Sequence, residues 1–297
     1  LCRFARAHNF ATVSSTATGD PSASAPLGEN ARLQISLFRA RARATLVQVT
    51  SISLFTARAV VALPAVLIHR PRRRELIVQL DALCVGALPI TQVTGLIAGL
   101  LVGMQTRVTL EEFGITTIFP HILTLALVRE LGPTFVSLVS GARAASGVAS
   151  ELATMAVTQQ VDAMRALRRD PIRTLAAPRT LACVLGFPAL SIAGVLAGLF
   201  GGMLVAASLE QTSGFFFQQS FRELSLREIL PNLILKPALF GLLIGVAASY
   251  LGLSAEGGTR AVGSATVRSV VVVTVGVLVS DYVLGEVFRR AWPPPPF

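Results

Sequence analysis

Apolar residues run through this chain in five blocks, each long enough for a helix to cross the hydrocarbon core of a bilayer, which takes about 20 residues. The blocks cover about 83 to 106, 115 to 148, 180 to 208, 233 to 254 and 265 to 288. The pattern predicts an all-α fold, a polytopic membrane helix bundle of about five transmembrane helices. Arg129, Glu130, Gly132 and Pro133 interrupt the second block, which predicts a kinked helix whose charges face protein or a polar cavity rather than lipid. Ahead of the first block, residues 33 to 69 alternate apolar positions with Arg39, Arg41, Arg43 and Arg58. That alternation suits an N-terminal interfacial helix. The chain then divides into an N-terminal arm or targeting segment (1–32), an interfacial amphipathic region (33–82), a membrane domain (83–290) and a Pro-rich tail (291–297).

Composition agrees with the pattern. The 297 residues are 53% apolar and 14% charged, more apolar surface than one soluble core could hide. The formal charge of +10 does not point to nucleic acid, because the arginines sit beside apolar runs and aromatics are only 6%. Cys2, Cys84 and Cys183 are odd in number and widely spaced, and His8, His69 and His121 are scattered, so neither a disulfide framework nor a metal motif is expected. Residues 1 to 30 are rich in Ser, Thr, Ala, Pro and Gly and poor in acids until Asp20. Such a stretch buries too little surface to fold, and the same bias describes an organellar transit peptide.

The arginines set sidedness. Arg70, Arg72, Arg73 and Arg74 precede the first span, Arg165, Arg168, Arg169, Arg173 and Arg179 lie between the second and third, and Arg260 and Arg268 flank the loop before the fifth. Alternating spans put all three regions on one side, expected to be the cytosol. Arg289 and Arg290, at the far end of the fifth span, run against that rule. Small residues recur four apart at Gly95, Gly99 and Gly103, at Gly194 and Gly198, and at Gly241 and Gly245, ridges that let helix backbones approach closely.

The chemistry on offer is limited. A P-loop needs GxxxxGK[ST], and the one lysine of the chain, Lys236, is followed by Pro237 with no glycine-rich loop before it. The chain is therefore not expected to be its own ATPase, and no hydrolase motif is present. The most informative tract is 150 to 170, where Glu151, Thr154, Thr158, Asp162 and Arg165 recur at helical spacing opposite Leu152, Met155, Val161, Met164 and Leu167. The spacing predicts a short amphipathic helix that stops at Asp170 and Pro171.

Several of these stretches resemble one family in type and order. They are LVRELGP at 127–133, GAR at 141–143, SELATM at 150–155, TQQVDAM at 158–164, RDP at 169–171, APR at 177–179, GGTRAVGSATVRSVV at 257–271 and VSDYVL at 279–284. Together they resemble the MlaE-type permeases, the membrane subunits of ABC transporters that move phospholipid. The departures are RRDP at 168–171, where the family carries GVDP, and the N-terminal arm, which has no clear counterpart in the family.

That resemblance implies several things. The segment from Glu151 corresponds to a coupling helix on a cytosolic ABC ATPase, with Glu151, Thr154, Thr158, Gln159, Asp162, Arg165 and Asp170 as its contact residues. Arg129, Glu130, Pro133 and Arg143 lie where the family lines a lipid cavity. No cofactor is expected in this chain, since ATP is bound by the partner subunit. The implied partners are that ATPase, an MCE-type lipid-binding protein, phospholipid, the membrane and a second copy forming a homodimer through glycine-rich faces. The implied location is a bacterial inner membrane, favoured by the arginine-rich composition, with the chloroplast inner envelope as the alternative. The rival reading is a secondary transporter or channel that needs no ATPase, with Arg129 and Glu130 as ion-coupling groups.

Overall fold

The computed structural model describes residues 55–59, 61, 70–209 and 212–291. The expected N-terminal arm, most of the interfacial stretch and residues 292–297 lie outside the described residues. From Arg70 onward the described residues form ten α-helices. These are α1 (Arg70–Leu83), α2 (Leu88–Phe113), α3 (Phe119–Ala126), α4 (Gly132–Val157), α5 (Gln160–Ala166), α6 (Ala177–Ala207), α7 (Ser213–Glu223), α8 (Leu226–Ile229), α9 (Lys236–Leu253) and α10 (Thr259–Ala291). No strand occurs among the described residues.

Joined across short turns, these helices make five stretches long and apolar enough to cross a membrane: Arg73–Phe113, Thr116–Val157, Ile172–Ala207, Leu226–Leu253 and Thr259–Ala291. The five expected spans are all present. Most ends run several residues further than apolar content alone predicts, because a helix keeps its backbone bonds past the edge of the greasy segment. The protein is thus a multi-pass membrane protein. α4, α6 and α9 make the centre, with α2 packed on α6 and α10 on α4 and α9. The outer helices carry apolar stripes turned away from the bundle, such as Ile90, Val93, Ile97, Leu101, Met104 and Val108 on α2. Their spacing of three and four residues marks one helix face, suited to lipid.

Glycine ridges set the α2–α6 crossing. A Cβ at Gly95 would strike the Gly194 carbonyl oxygen, and one at Gly99 the Gly198 carbonyl oxygen. A Cβ at Gly245 would lie 2.6 Å from the Thr180 Cα. The expectation of close backbone approach is met, but within one chain. These faces are consumed by α2, α6 and α9, which corrects the expectation that they pair two copies.

Three widened helical turns share one cause. Wide π-type turns at Leu127–Leu131, Ile172–Ala176 and Leu230–Leu235 each run up to a residue that precedes a proline: Gly132, Ala177 and Lys236 before Pro133, Pro178 and Pro237. Each of those preceding residues donates its N–H five residues back, to Leu127, Ile172 and Pro231 respectively. A proline has no N–H and its ring pushes on the carbonyl four residues earlier, so the helix widens by one residue. The kink predicted for the second span falls at the first of these turns.

The predicted amphipathic helix over 150–170 is split in two. Residues 150–157 finish α4, Gln159 adopts a left-handed φ of 60°, and α5 follows. Leu152 and Val161 are buried as expected, but Leu167 is 74% exposed and does not join the apolar side.

Candidate functional site

Two of the wide turns, at Leu127–Leu131 and Leu230–Leu235, pack against one another and hold polar side chains inside an apolar bundle. Because Pro133 has no N–H to offer the Arg129 carbonyl, that oxygen is open to another donor. Lys236, the first residue of α9, fills the role at 3.1 Å. Its ammonium also meets Glu130 at 2.9 Å and Asp281 of α10 at 2.7 Å. All three ammonium protons therefore have acceptors. Thr134 donates to the same Asp281 oxygen at 2.7 Å. Lys236 is 1% exposed, Asp281 18% and Glu130 56%, so the glutamate is the side of the cluster that faces open space.

One residue earlier on the second span, Arg129 grips Glu228 in a two-point pair, Nε at 3.0 Å and Nη2 at 2.8 Å. The Asn232 amide donates to the Glu228 carbonyl and carboxylate at 3.1 and 3.2 Å, fixing that carboxylate. These groups border a cavity of about 230 Å³ also walled by Arg227, Phe288 and Arg289. Gly285 of α10 faces it, since a Cβ there would lie 3.6 Å from Glu130 Oε1. Lys236 sits ten residues into its span, about 15 Å from the end opposite the α5 loop. Along the chain the polar cluster falls between two apolar cores, with Leu127 and Leu233 in one and Val136 and Phe240 in the other. Charges in such a place cost stability unless paired, and their usual justification is a polar substrate or ion.

The structure brings Arg129 and Glu130 to this cavity but separates the other two cavity candidates from it. Pro133 is buried in protein and shapes the bend. Arg143 is exposed beside Gly86, thirteen residues and about 20 Å along the helix from Glu130. Sequence reasoning missed Lys236, Asp281 and Glu228, although a lysine and an aspartate inside apolar blocks were signal enough.

The α5 loop is the second constellation. At its base, Arg179 is 4% exposed and donates to the Leu175 carbonyl at 2.9 Å and to Glu151 at 3.0 Å, tying the end of α4 to the start of α6. Thr154 and Thr158 spend their hydroxyl protons on the carbonyls of Ser150 and Thr154. Asp162 pairs with Arg165 at 2.8 Å, and Asp170 accepts the Ile172 N–H at 3.0 Å, capping the next turn. Thr158, Gln159, Asp162, Arg165 and Asp170 are all exposed on one connected loop, whereas Glu151 lies at its root.

The family model described as Permease MlaE matches residues 76–287. A probable ABC transporter permease protein of Rickettsia conorii is 31% identical over 245 residues, 82% of this chain and 92% of that protein. The intermembrane phospholipid transport system permease protein MlaE of Haemophilus influenzae is 31% identical over 230 residues, 76% of this chain and 88% of that protein. The probable ABC transporter permease protein ycf63 of Pyropia yezoensis is 30% identical over 200 residues, 67% and 76% respectively.

Proposed function

The chain belongs to the MlaE permease family, and on that premise we propose that it is the membrane subunit of an ABC transporter that moves phospholipid between membranes, driven by a separate cytosolic ATPase. The observation that carries this reading is the cavity beside Arg129 and Glu130. Cationic and hydrogen-bonding groups are gathered there, toward the span ends opposite the α5 loop, where a zwitterionic or anionic headgroup would find partners.

At about 230 Å³ the cavity has room for a headgroup and not for acyl chains, since pockets that enclose a drug-sized ligand run from about 300 to 1,000 Å³. The chains of a bound lipid would lie against the apolar surface of α10, where Val275, Leu278, Tyr282 and Val283 are exposed. A second copy of the chain would close over them, giving a homodimer with a lipid cavity between the copies. An MCE-type lipid-binding protein would exchange lipid at the face opposite the α5 loop. The α5 loop, on the arginine-rich side, would receive the stroke: when ATP closes the ATPase pair, the loops move and the cavity changes shape. The arginine-rich side is then the cytosol of a bacterial inner membrane, or the stroma if the protein serves a chloroplast envelope.

Two measurements on the purified wild-type assembly test this together. Mass spectrometry should find phospholipid retained at near one molecule per pair of chains, and an ABC ATPase should copurify. Asp162→Lys, at an exposed loop position, should release the ATPase while leaving the lipid in place. Transport by a chain that retains no ATPase would instead favour the secondary-transporter reading.

A further inference from the structure

The cavity wall beside Lys236 carries a surplus of negative charge. One ammonium lies between two carboxylates, Asp281 at 2.7 Å and Glu130 at 2.9 Å. Asp281 is the less exposed of the two and also accepts from Thr134, so it balances the lysine within the fold. Glu130 is the extra anion. Its Oε2 accepts from Lys236, whereas its Oε1 accepts no hydrogen bond among the described residues. Glu228, the other carboxylate of the wall, differs in having both oxygens engaged, by Arg129 and Asn232. The open Glu130 oxygen also faces a gap left by a missing side chain. Opposite it lies Gly285 of α10, where a Cβ would come 3.6 Å from Oε1, an ordinary contact distance. Packing would therefore admit an alanine at 285, and alanine is the better helix former. Glycine there keeps space beside a carboxylate oxygen that has no partner.

We propose that Glu130 and Gly285 form a receptor for the primary ammonium of an ethanolamine headgroup, which makes them the residues that select among phospholipids. The inference rests on the phospholipid reading and adds the headgroup to it. An ammonium in the gap beside Gly285 donates to Glu130 Oε1, and the attraction of opposite charges adds to the hydrogen bond. The phosphate of the same lipid lies toward Arg129, Arg227 and Arg289 on the rest of the wall. Other headgroups fit less well. The quaternary ammonium of choline has no proton to donate and is recognised by cages of aromatic rings, yet Phe288 is the only ring on this wall among the described residues. Glycerol hydroxyls bond to Glu130 without neutralising it. A serine headgroup brings a second carboxylate against the first.

Gly285→Ala is the decisive variant, because it closes the gap without touching a charge. The purified chain, with whatever subunits accompany it, is equilibrated in mixed micelles holding equal parts phosphatidylethanolamine, phosphatidylcholine, phosphatidylglycerol and phosphatidylserine. Excess lipid is then removed, and mass spectrometry measures what is retained. The wild type should enrich the ethanolamine lipid about tenfold over each of the others. Gly285→Ala should melt no lower than the wild type, retain phosphatidylglycerol at the wild-type level and bring the ethanolamine enrichment below about twofold. Glu130→Gln keeps the shape of the wall and provides an independent check: it should abolish the ethanolamine preference and raise the share of phosphatidylglycerol, since an anion has left the cavity. Equal retention of the four lipids by the wild type would overturn the inference and leave the phospholipid reading standing. An ethanolamine preference that survives both variants would do the same. If the wild-type chain retains no phospholipid at all, the underlying reading falls and takes this one with it.

Discussion

Replacing Lys236 with methionine isolates the energetics of the buried cluster. The side chains are similar in length, so the change removes an ammonium and little volume. It strands the Asp281 carboxylate, 18% exposed, with only the Thr134 hydroxyl, and leaves the Arg129 carbonyl without the lysine proton. Removing one partner of a buried ion pair costs about 3–5 kcal/mol. Glu130 is 56% exposed and can reach water through the cavity, so its share of that loss is small and a value near the lower bound is expected. The partner variant Lys236→Met with Asp281→Asn removes both charges and should recover a substantial part, leaving a coupling of about 1–3 kcal/mol between the two positions. Thermal unfolding of the wild type, Lys236→Met, Asp281→Asn and the double variant in one detergent measures this directly. Should Lys236→Met melt with the wild type, or the double variant prove no more stable than the single one, the ion cluster is not what holds α9 and α10 at the bend.

Other sites give independent expectations. Gly99→Ala places a Cβ against the Gly198 carbonyl, where backbone meets backbone and neither helix can yield cheaply; a loss of about 1–3 kcal/mol in the same unfolding assay is expected. Gly147→Ala in α4 meets nothing within 4 Å, so the isolated chain should be unharmed or gain up to about 1 kcal/mol. Glu151→Gln weakens the tie to buried Arg179 and should raise the ATP consumed per lipid moved, and the exchanged pair Glu151→Arg with Arg179→Glu should recover part of the lost coupling. Arg129→Gln removes the two-point grip on Glu228 and one cation from the cavity wall, and phosphorus analysis of the purified protein should show lipid content halved or lower.

Much of this architecture was legible in the residues. Block lengths located five spans because bilayer thickness sets a length that composition reveals. The LGP triplet foretold the bend of the second span, since the missing proline N–H acts locally. The glycine ridges were equally readable as close-contact surfaces, but not their partners: a ridge on α2 fits a ridge on α6 or on another copy equally well, and only the folded chain shows that Gly194 and Gly198 take them. The polar site was half visible. Arg129 and Glu130 stood out within an apolar block, while Lys236 and Asp281 come from blocks more than a hundred residues away, and pairing across such distances is set by helix packing, which no local pattern encodes. The short helix after Thr158 was expected as one continuous piece because its periodicity survives the break; the left-handed Gln159 that divides it leaves no trace in amphipathic spacing.

On the proposed reading, this chain moves phospholipid on a stroke supplied by another subunit. Its most direct test is transfer of a labelled phospholipid by the purified chain in proteoliposomes, with and without its ATPase. Transfer is expected only when ATPase and hydrolysable ATP are both present, with a steep loss in Arg129→Gln. Transfer at full rate by the chain alone, or ATP hydrolysis by the assembly with no lipid moved, would contradict it.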